Sequence, residues 1–161
     1  MNITLKKLKH VQSRSEETHC FSADVYVDGK MLCEADNDGR GGSNSYFPSA
    51  KSPNDWREQL ASIEKELGKE TIKEYNIPNS LEIVVGDLIN NTLIVKDVKS
   101  LIKRRVAYVS AKPGIFQLPA KYKPSPDLFE QLKKSDWWTP EHELLAEMPL
   151  ERAVEFYRDN A

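Results

Sequence analysis

Glycines, amide side chains and an arginine come together in the segment EADNDGRGGSNSY, residues 34–46. Three glycines allow consecutive backbone N–H groups to converge on an anion, and the guanidinium of Arg40 is a forked donor that suits phosphate. The segment therefore predicts a site for an anionic or nucleotide ligand, although glycine clusters also mark plain turns after strands. The candidate ligand-binding residues in this segment are Asn37, Asp38, Gly39, Arg40, Gly41, Gly42 and Asn44.

The same segment also matches the first half of a calcium-binding loop. Glu34, Asp36 and Asp38 alternate along the chain, and Gly39 stands at the sixth position. The twelfth position, which supplies a bidentate glutamate in such loops, is Ser45. Because half of a ligand set binds a hard cation weakly, we predict no metal site and no cofactor.

The three histidines, His10, His19 and His142, show no HxxxH or HExxH spacing, and the chain has no CxxC pair. These spacings argue against a zinc site. His10 and His19 would share a face if their two strands pair around a six-residue loop. Acid–base chemistry by these histidines with Glu16 or Glu17 is therefore an alternative function, that of a small hydrolase or nucleotide-processing enzyme.

The net charge of −2 conceals a gradient along the chain. Residues 96–123, which we call the basic band, contain eight Lys and Arg against one acidic residue, whereas residues 127–161 are acidic. A basic band can meet a phosphate backbone, so a nucleic-acid-binding accessory protein is a second alternative. Against it, the band lacks the interleaved aromatic residues of a stacking platform, and Lys103-Arg104-Arg105 is explained by the preference of cations for a helix C-terminus.

A first hairpin is the clearest local signal. Residues 3–12 favour a strand, and Asp28-Gly29 is typical of a two-residue turn between alternating residues 21–27 and residues 31–35. This turn places Cys33 opposite Asp24, too far from Cys20 for a disulfide. We therefore expect two free thiols.

Helix signals follow the hairpin. Ser52-Pro53 predicts a helix start, with Gly68 closing the helix, and a second short helix is expected at 69–75. Asn79 or Ser80 caps the next segment, which runs to Arg105. Within that segment we expect a break at Gly86 and Asn90-Asn91.

Prolines mark the turn and the helix starts that we predict in the remaining chain. Pro113-Gly114 predicts the turn of a second hairpin. Pro124 and Pro126 mark entry into a helix, and Thr139-Pro140 and Met148-Pro149 predict two more helix starts. Trp137-Trp138 is expected to anchor the C-terminal helices on the core, with a partner contact as the other interpretation.

Together these elements predict an α+β fold, a small and mostly antiparallel sheet of four or five strands with two hairpins, packed with several helices. At 161 residues we expect a single domain. Its parts would be an N-terminal hairpin region (1–46), a helical and second-hairpin region (52–135) and C-terminal helices (136–161). No membrane span or secretory signal is visible, so we expect no membrane partner and a cytoplasmic location.

The runs SEETHCFSA (15–23), YVDGK (26–30) and NDGRGG (37–42) resemble a family of small phage, prophage and plasmid proteins with no established activity. The resemblance is best over residues 2–46 and looser over 101–109. It implies a mobile-element accessory protein. It also adds Glu16, Glu17 and His19 to the rim of the candidate site, because 13–19 and 37–44 abut one end of the strand pair.

The leading hypothesis is therefore a non-enzymatic binding protein of a phage or other mobile element. It would act in the host cytoplasm on a host protein, including defence machinery, or on a small anionic ligand held by Arg40.

Overall fold

The computed structural model describes residues 1–160, and its contacts divide the chain into two compact units. Unit 1 comprises Met1–Asn90 and unit 2 begins at Asn91. Each unit is described here by itself. The single domain over 1–161 stays a prediction, and its last residue lies outside the described residues.

Unit 1 is built on a four-stranded antiparallel sheet in the order β1-β2-β3-β4. The first hairpin is confirmed: Val27 pairs with Lys30 across the Asp28-Gly29 turn, and both turn residues have positive φ. One strand precedes this hairpin and one follows it, and each pairs antiparallel with its neighbour in the sequence. The strands are β1 (Ile3–His10), β2 (Cys20–Val27), β3 (Lys30–Asp38) and β4 (Ser45–Phe47).

The predicted register of this hairpin is wrong beyond its first pairs. A bulge between Val25 and Tyr26 shifts the pairing, so Cys33 lies opposite Val25 and Glu34 lies opposite Asp24. A bulge adds one residue to one strand, which a turn-based count cannot anticipate. Cys20 and Cys33 are both buried free thiols, as expected.

The two faces of this sheet differ in polarity. Along β2, Phe21, Ala23 and Val25 are buried, and their partners across β3 are Asn37, Ala35 and Cys33. The first helix contacts β3. The opposite face presents a row of polar residues from all four strands, because Lys9 pairs with Ser22, Ser22 with Asp36, and Asp36 with Ser45.

Helix α1 (Trp56–Leu67) begins later than predicted. The hydroxyl of Ser52 accepts from the amide of Ser49 and so belongs to a preceding turn, and the N-cap is Asp55. Gly68 does close the helix, with its N–H on the carbonyl of Glu64.

The short helix predicted at 69–75 is wrong. Thr71–Ile72 (β5) and Ile77–Pro78 (β6) form a small antiparallel pair instead. The turn between them is closed by a hydrogen bond from Asn76 N–H to the Ile72 carbonyl, and Asn76 has positive φ. The β-branched residues Thr71 and Ile72 favour extended backbone, and a helix this short is marginal without strong packing.

Helix α2 (Leu81–Arg104) is continuous, so the predicted break is also wrong. Ser80 caps it by accepting from Ile83 N–H. The side chain of Asn90 bonds to His19 and that of Asn91 bonds to Arg158, so neither competes with the helix backbone. Burial of one helical face compensates for the weak propensity of Gly86.

Unit 2 contains the second predicted hairpin, β7 (Ala107–Val109) with β8 (Phe116–Gln117). Gly114 has positive φ in the connecting turn. A third strand, β9 (Glu143–Leu144), pairs with the other edge of β7.

Two helices complete unit 2, α3 (Pro126–Lys133) and α4 (Leu150–Asn160). Both were predicted from proline, and Ser125 caps α3 at the amide of Leu128. The helix start predicted at Thr139-Pro140 is wrong, because Thr139 and His142 close a tight turn that leads directly into β9.

Two core clusters lie in unit 2. One gathers Val98 and the buried face of α4, including Ala153 and Val154. The other gathers Val106, Leu132 and Leu144, and Trp138 packs against it. The α+β prediction is confirmed. Across the described residues no helix has the length and apolar character needed to cross a membrane.

The Gly86→Ala substitution should raise the free energy of unfolding by about 0.5–1 kcal/mol, because alanine loses less backbone entropy in a helix. A Cβ at this position meets nothing within 4 Å. Urea denaturation measures the change. Gly114→Ala is the matched control: it also has open space, but its φ of 116° should make alanine destabilising. A less stable Gly86→Ala protein would contradict this account of α2.

Stability should fall as pH rises above about 9, because burial raises the pKa of the Cys33 thiol from 9.0 to about 11. The unfolded thiol ionises first, so the contribution is full below pH 9 and is lost as pH approaches 11. Between pH 8 and pH 10 the loss should be roughly 1 kcal/mol. Urea denaturation at pH 8 and pH 10 compares the parent with Cys33→Ala, which should lose much of this pH dependence. An unchanged slope in the variant would exclude Cys33 as its source.

Candidate functional site

The carbonyl oxygen of Gly39 joins the glycine-rich loop to the segment before β2. It accepts hydrogen bonds from the amides of Glu16, Glu17 and Thr18, at 3.0, 3.0 and 3.4 Å. Three converging N–H groups of this kind form a concavity suited to an anion. Here the concavity is filled by a carbonyl of the chain itself. We call segments 14–19 and 37–44, with these contacts, the Gly39 junction.

The side chain of Asn37 organises the same junction. It is 7% exposed, and its Oδ1 accepts from Gly39 N–H and from the Thr18 hydroxyl, each at 2.8 Å. Its Nδ2 donates to the Gly42 carbonyl at 2.7 Å and to Asn44 Oδ1 at 3.2 Å. All the hydrogen-bonding groups of this amide are therefore used within the protein.

Three amides of the glycine-rich loop, including two of those that the sequence assigned to an anion, have internal acceptors. Gly39 N–H binds Asn37 Oδ1, Arg40 N–H binds Asp38 Oδ1 at 3.2 Å, and Gly41 N–H binds Thr18 Oγ1 at 3.3 Å. These three groups therefore form no open cradle. The Arg40 side chain is exposed, and its role in binding stays a prediction.

Two glycines of the junction are required by close packing. Gly39 and Gly41 have φ of 87° and 90°, which side chains rarely adopt. A Cβ on Gly39 would overlap the carbonyl oxygen of Arg14, and one on Gly41 would overlap the carboxylate of Glu17. Gly42 has neither constraint. The first two glycines thus serve the contact between the two segments.

The histidines predicted to share a face are in direct contact. His10 Nε2 lies 3.1 Å from His19 Nδ1, and the ring centroids are 5.1 Å apart. His19 Nε2 lies 2.9 Å from Asn90 Oδ1. The hydroxyl of Ser15 is 3.3 Å from His10 Nε2, and it also binds the Val11 carbonyl and the Cys20 amide.

This arrangement holds segments together more readily than it performs catalysis. Both ring nitrogens of His19 have protein partners, so the ring has none left for a substrate proton. Glu16 and Glu17, the proposed catalytic partners, are exposed and contribute their amides to Gly39. Asn90 was not foreseen as a partner, because an asparagine in a helical segment indicates a break on sequence grounds.

A cleft of about 570 Å³ lies on the polar side of the sheet, next to the Gly39 junction. We call it the outer cleft. Lys9 on β1 and Asp36 on β3 lie on either side of Ser22, and Arg14 and Asp38 also line the cleft. Of the predicted residues, only Asn37 and Asp38 line it. The remaining lining residues are Val11, Cys20, Phe21, Ser22, Ser43 and Ser45.

In the part of the chain that the structure describes, the charged side chains of the outer cleft have no ion-pair partner. Among the described residues, Lys9, Arg14 and Asp36 form no ion pair, whereas nearby Lys7 donates to Asp24 at 2.8 Å. The hydrogen bond to Asp24 raises the pKa of Lys7 above its ordinary value. The outer cleft therefore keeps two cations and two carboxylates for a ligand.

The half calcium loop is an extended strand. Glu34, Asp36 and Asp38 belong to β3, where alternate residues are roughly 6.6 Å apart and cannot curl around one ion. Within residues 1–160, no group of three or more His, Cys, Asp or Glu side chains is arranged to hold a metal.

Comparison with protein-family models, with curated proteins and with solved structures finds no match to this chain. The resemblance to phage and plasmid proteins therefore stays a prediction.

Alanine at Gly39 should lower the free energy of unfolding by at least about 2 kcal/mol, because it combines backbone strain with overlap at Arg14. Gly42→Ala, three residues along the same loop, should change it by less than about 0.5 kcal/mol. Chemical denaturation of both variants gives the comparison. Equal effects would show that the contact between the two segments does not constrain the loop.

Proposed function

We propose that this chain is a non-enzymatic binding protein whose outer cleft takes a small nucleotide-like ligand. One observation carries the proposal: unpaired cations and unpaired carboxylates line a single cleft of ligand size. Small-molecule sites commonly occupy about 300–1,000 Å³ and contain a few convergent polar groups.

The spacing of the charges sets the chemistry of the ligand. Lys9 is on β1 and Asp36 is on β3, with Ser22 between them on β2. Two interstrand spacings amount to roughly 9.6 Å. A ligand that satisfies both sides needs an anionic group at one end and N–H donors at the other.

A nucleotide meets these requirements. Its phosphate suits Lys9 and the forked guanidinium of Arg14, and the amino or imino groups of its base suit Asp36 and Asp38. The hydroxyls of Ser22 and Ser45 lie in the same cleft. A compact anion such as phosphate alone is a poorer fit, because the carboxylates would repel it.

The side chains that line the outer cleft and the amides of the neighbouring loop support binding without turnover. The outer cleft contains no histidine, and the ring nitrogens of His19 are held by His10 and Asn90. The loop amides that could stabilise a developing negative charge donate within the protein. These are the groups that a small hydrolase would use.

The resemblance over residues 15–42 supports the biological part of the proposal. The chain would be an accessory protein of a phage or other mobile element that acts in the host cytoplasm. Its target would be host machinery, including defence systems, either as a protein partner or through a nucleotide signal held in the outer cleft.

Isothermal titration calorimetry with nucleoside mono-, di- and triphosphates tests this proposal. Arg14→Ala should weaken binding at least about tenfold, since a charge-assisted hydrogen bond contributes about 1.5–3 kcal/mol. Asp36→Asn should weaken it less and change the preference among bases. Lys65→Ala, on the exposed side of α1, is the matched charge control.

Arg40→Ala separates the outer cleft from the original loop hypothesis. Only the loop hypothesis expects Arg40→Ala to abolish binding while Arg14→Ala leaves it unchanged. Absence of nucleotide binding by the folded parent at millimolar concentration would contradict the proposal, and turnover with divalent metals would favour the enzyme alternative.

A further inference from the structure

Unit 2 gathers five aromatic rings that are dispersed along the sequence. Neighbouring centroids are 5.1–5.8 Å apart, with tilted, stacked and edge-to-face contacts. Such geometry is favourable between rings. The members of this aromatic cluster are Tyr108, Phe116, Trp137, Trp138 and His142.

The sheet of unit 2 brings these rings together. Tyr108 on β7 pairs directly with Phe116 on β8, and their rings stack at 5.6 Å with 27° between planes. His142 precedes β9, whose Leu144 also pairs with Tyr108. Three separate stretches of chain therefore contribute to one surface.

The rings of the aromatic cluster differ in how far they are buried in the core of unit 2. Trp138 packs against the core cluster of Val106, Leu132 and Leu144, and the anchoring of the C-terminal helices by the tryptophan pair stays a prediction. Trp137 is 44% exposed, although it contacts the rings of Tyr108, Trp138 and His142. An exposed tryptophan supported by other rings is a common feature of recognition surfaces.

A cleft of about 330 Å³ opens beside these rings, and we call it the aromatic cleft. Tyr108, Phe116 and His142 line it, and polar groups surround them. The hydroxyl and amide of Thr139 both contact His142 Nδ1 at 3.0 Å, which fixes the imidazole plane. The other lining residues are Ser110, Ala111, Lys112 and Glu141.

Positive charge flanks the aromatic cleft along the chain. Lys112 lies in the β7–β8 turn and lines the cleft, and it forms no ion pair with another described residue. Arg104 and Arg105 immediately precede β7, and Lys121 and Lys123 closely follow β8. Cations of the basic band thus flank, along the chain, the hairpin that contributes Tyr108 and Phe116.

We propose that the aromatic cleft binds single-stranded nucleic acid by stacking an unpaired base beside Tyr108, Phe116 and His142, with the adjoining phosphate at Lys112. Stacking on aromatic side chains in a basic groove is the physical basis of single-strand binding. The expectation that the basic band lacks such rings is wrong, because Tyr108 and Phe116 lie within it, and the tertiary structure adds His142 beside them. A duplex fits poorly, because its bases are already stacked inside the helix and cannot enter a small cleft.

The polar rim gives the base hydrogen-bonding partners. Ser110 and Glu141 line the aromatic cleft with Lys112. The carboxylate of Glu141 accepts from exocyclic amino groups, which cytosine and adenine have and thymine lacks. The occupant is therefore a nucleic acid strand with at least one unpaired, amino-bearing base.

Fluorescence anisotropy with a labelled 12-nucleotide oligo(dC) tests this inference on the whole chain at low salt. Lys112→Gln replaces an exposed side chain and Phe116→Leu keeps an apolar side chain at a half-buried position, so both variants should fold. Each should weaken binding by about 5- to 50-fold, since a stacked base or a phosphate contact contributes about 1–2 kcal/mol. Tyr75→Leu, which replaces an exposed ring in unit 1, should bind like the parent.

Competition defines the ligand class. Unlabelled oligo(dC) should compete at much lower concentration than the same sequence as a duplex, and oligo(dT) should compete less well than oligo(dC). Equal competition by duplex, unchanged binding in Lys112→Gln and Phe116→Leu, or no binding by the parent would overturn the proposal. Displacement of the oligonucleotide only by a proline-rich peptide would assign the cleft to a protein partner instead.

The two proposed sites have separate controls. Arg14→Ala should leave oligonucleotide affinity unchanged, and Lys112→Gln should leave calorimetric nucleotide binding at the outer cleft unchanged. Either proposal can therefore fail without the other.

Discussion

The carbonyl oxygen of Gly39 accepts hydrogen bonds from three consecutive amides, and the buried side chain of Asn37 binds both the amide of Gly39 and the hydroxyl of Thr18. This contact ties the end of β3 to the segment that enters β2. A buried polar group without a partner costs about 1–3 kcal/mol, so these groups constrain one another strongly. The positive φ of Gly39 and its approach to the Arg14 carbonyl are consequences of that constraint. Both the histidine contact and the outer cleft adjoin the segments that it joins.

A backbone amide that holds the fold cannot also bind a ligand. The glycine-rich loop has the composition of an anion cradle, yet its amides and those of Glu16, Glu17 and Thr18 have acceptors within unit 1. Charge that is open to a ligand is instead carried by Lys9 and Asp36 on the neighbouring sheet face and by Arg14 in the segment before β2, none of which has an ion-pair partner among the described residues. The outer cleft is therefore built from charged side chains on a rigid sheet, which differs from the loop recognition suggested by the glycines.

In unit 2, the tertiary structure likewise determines which side chains meet at a cleft. Tyr108, Phe116, Trp137 and His142 are separated by up to 34 residues, and each alone is explained by local packing. Strand pairing places Tyr108 opposite Phe116 and leads β9 back along β7, which brings His142 to the same place. Tyr108 and Trp138 pack against the core, whereas Trp137 and Lys112 are exposed and Phe116 and His142 are half-buried. The aromatic cleft thus arises from strand order and not from any contiguous motif.

Local sequence determined the features that depend on neighbouring residues: the Asp28-Gly29 turn, the Pro113-Gly114 hairpin, the caps at Ser80 and Ser125, and the α+β composition. These follow from turn geometry, capping and alternation, which act over a few residues. Tertiary structure decided the bulge that moved Cys33 opposite Val25, the continuity of α2 through Gly86, and the strands at 71–78 and 143–144. It also decided which donors in the glycine-rich loop were already occupied and which side chains met in the two clefts. Those outcomes depend on partners far away in sequence, such as Asn90 for His19 and Thr18 for Asn37, and local pattern contains no information about them.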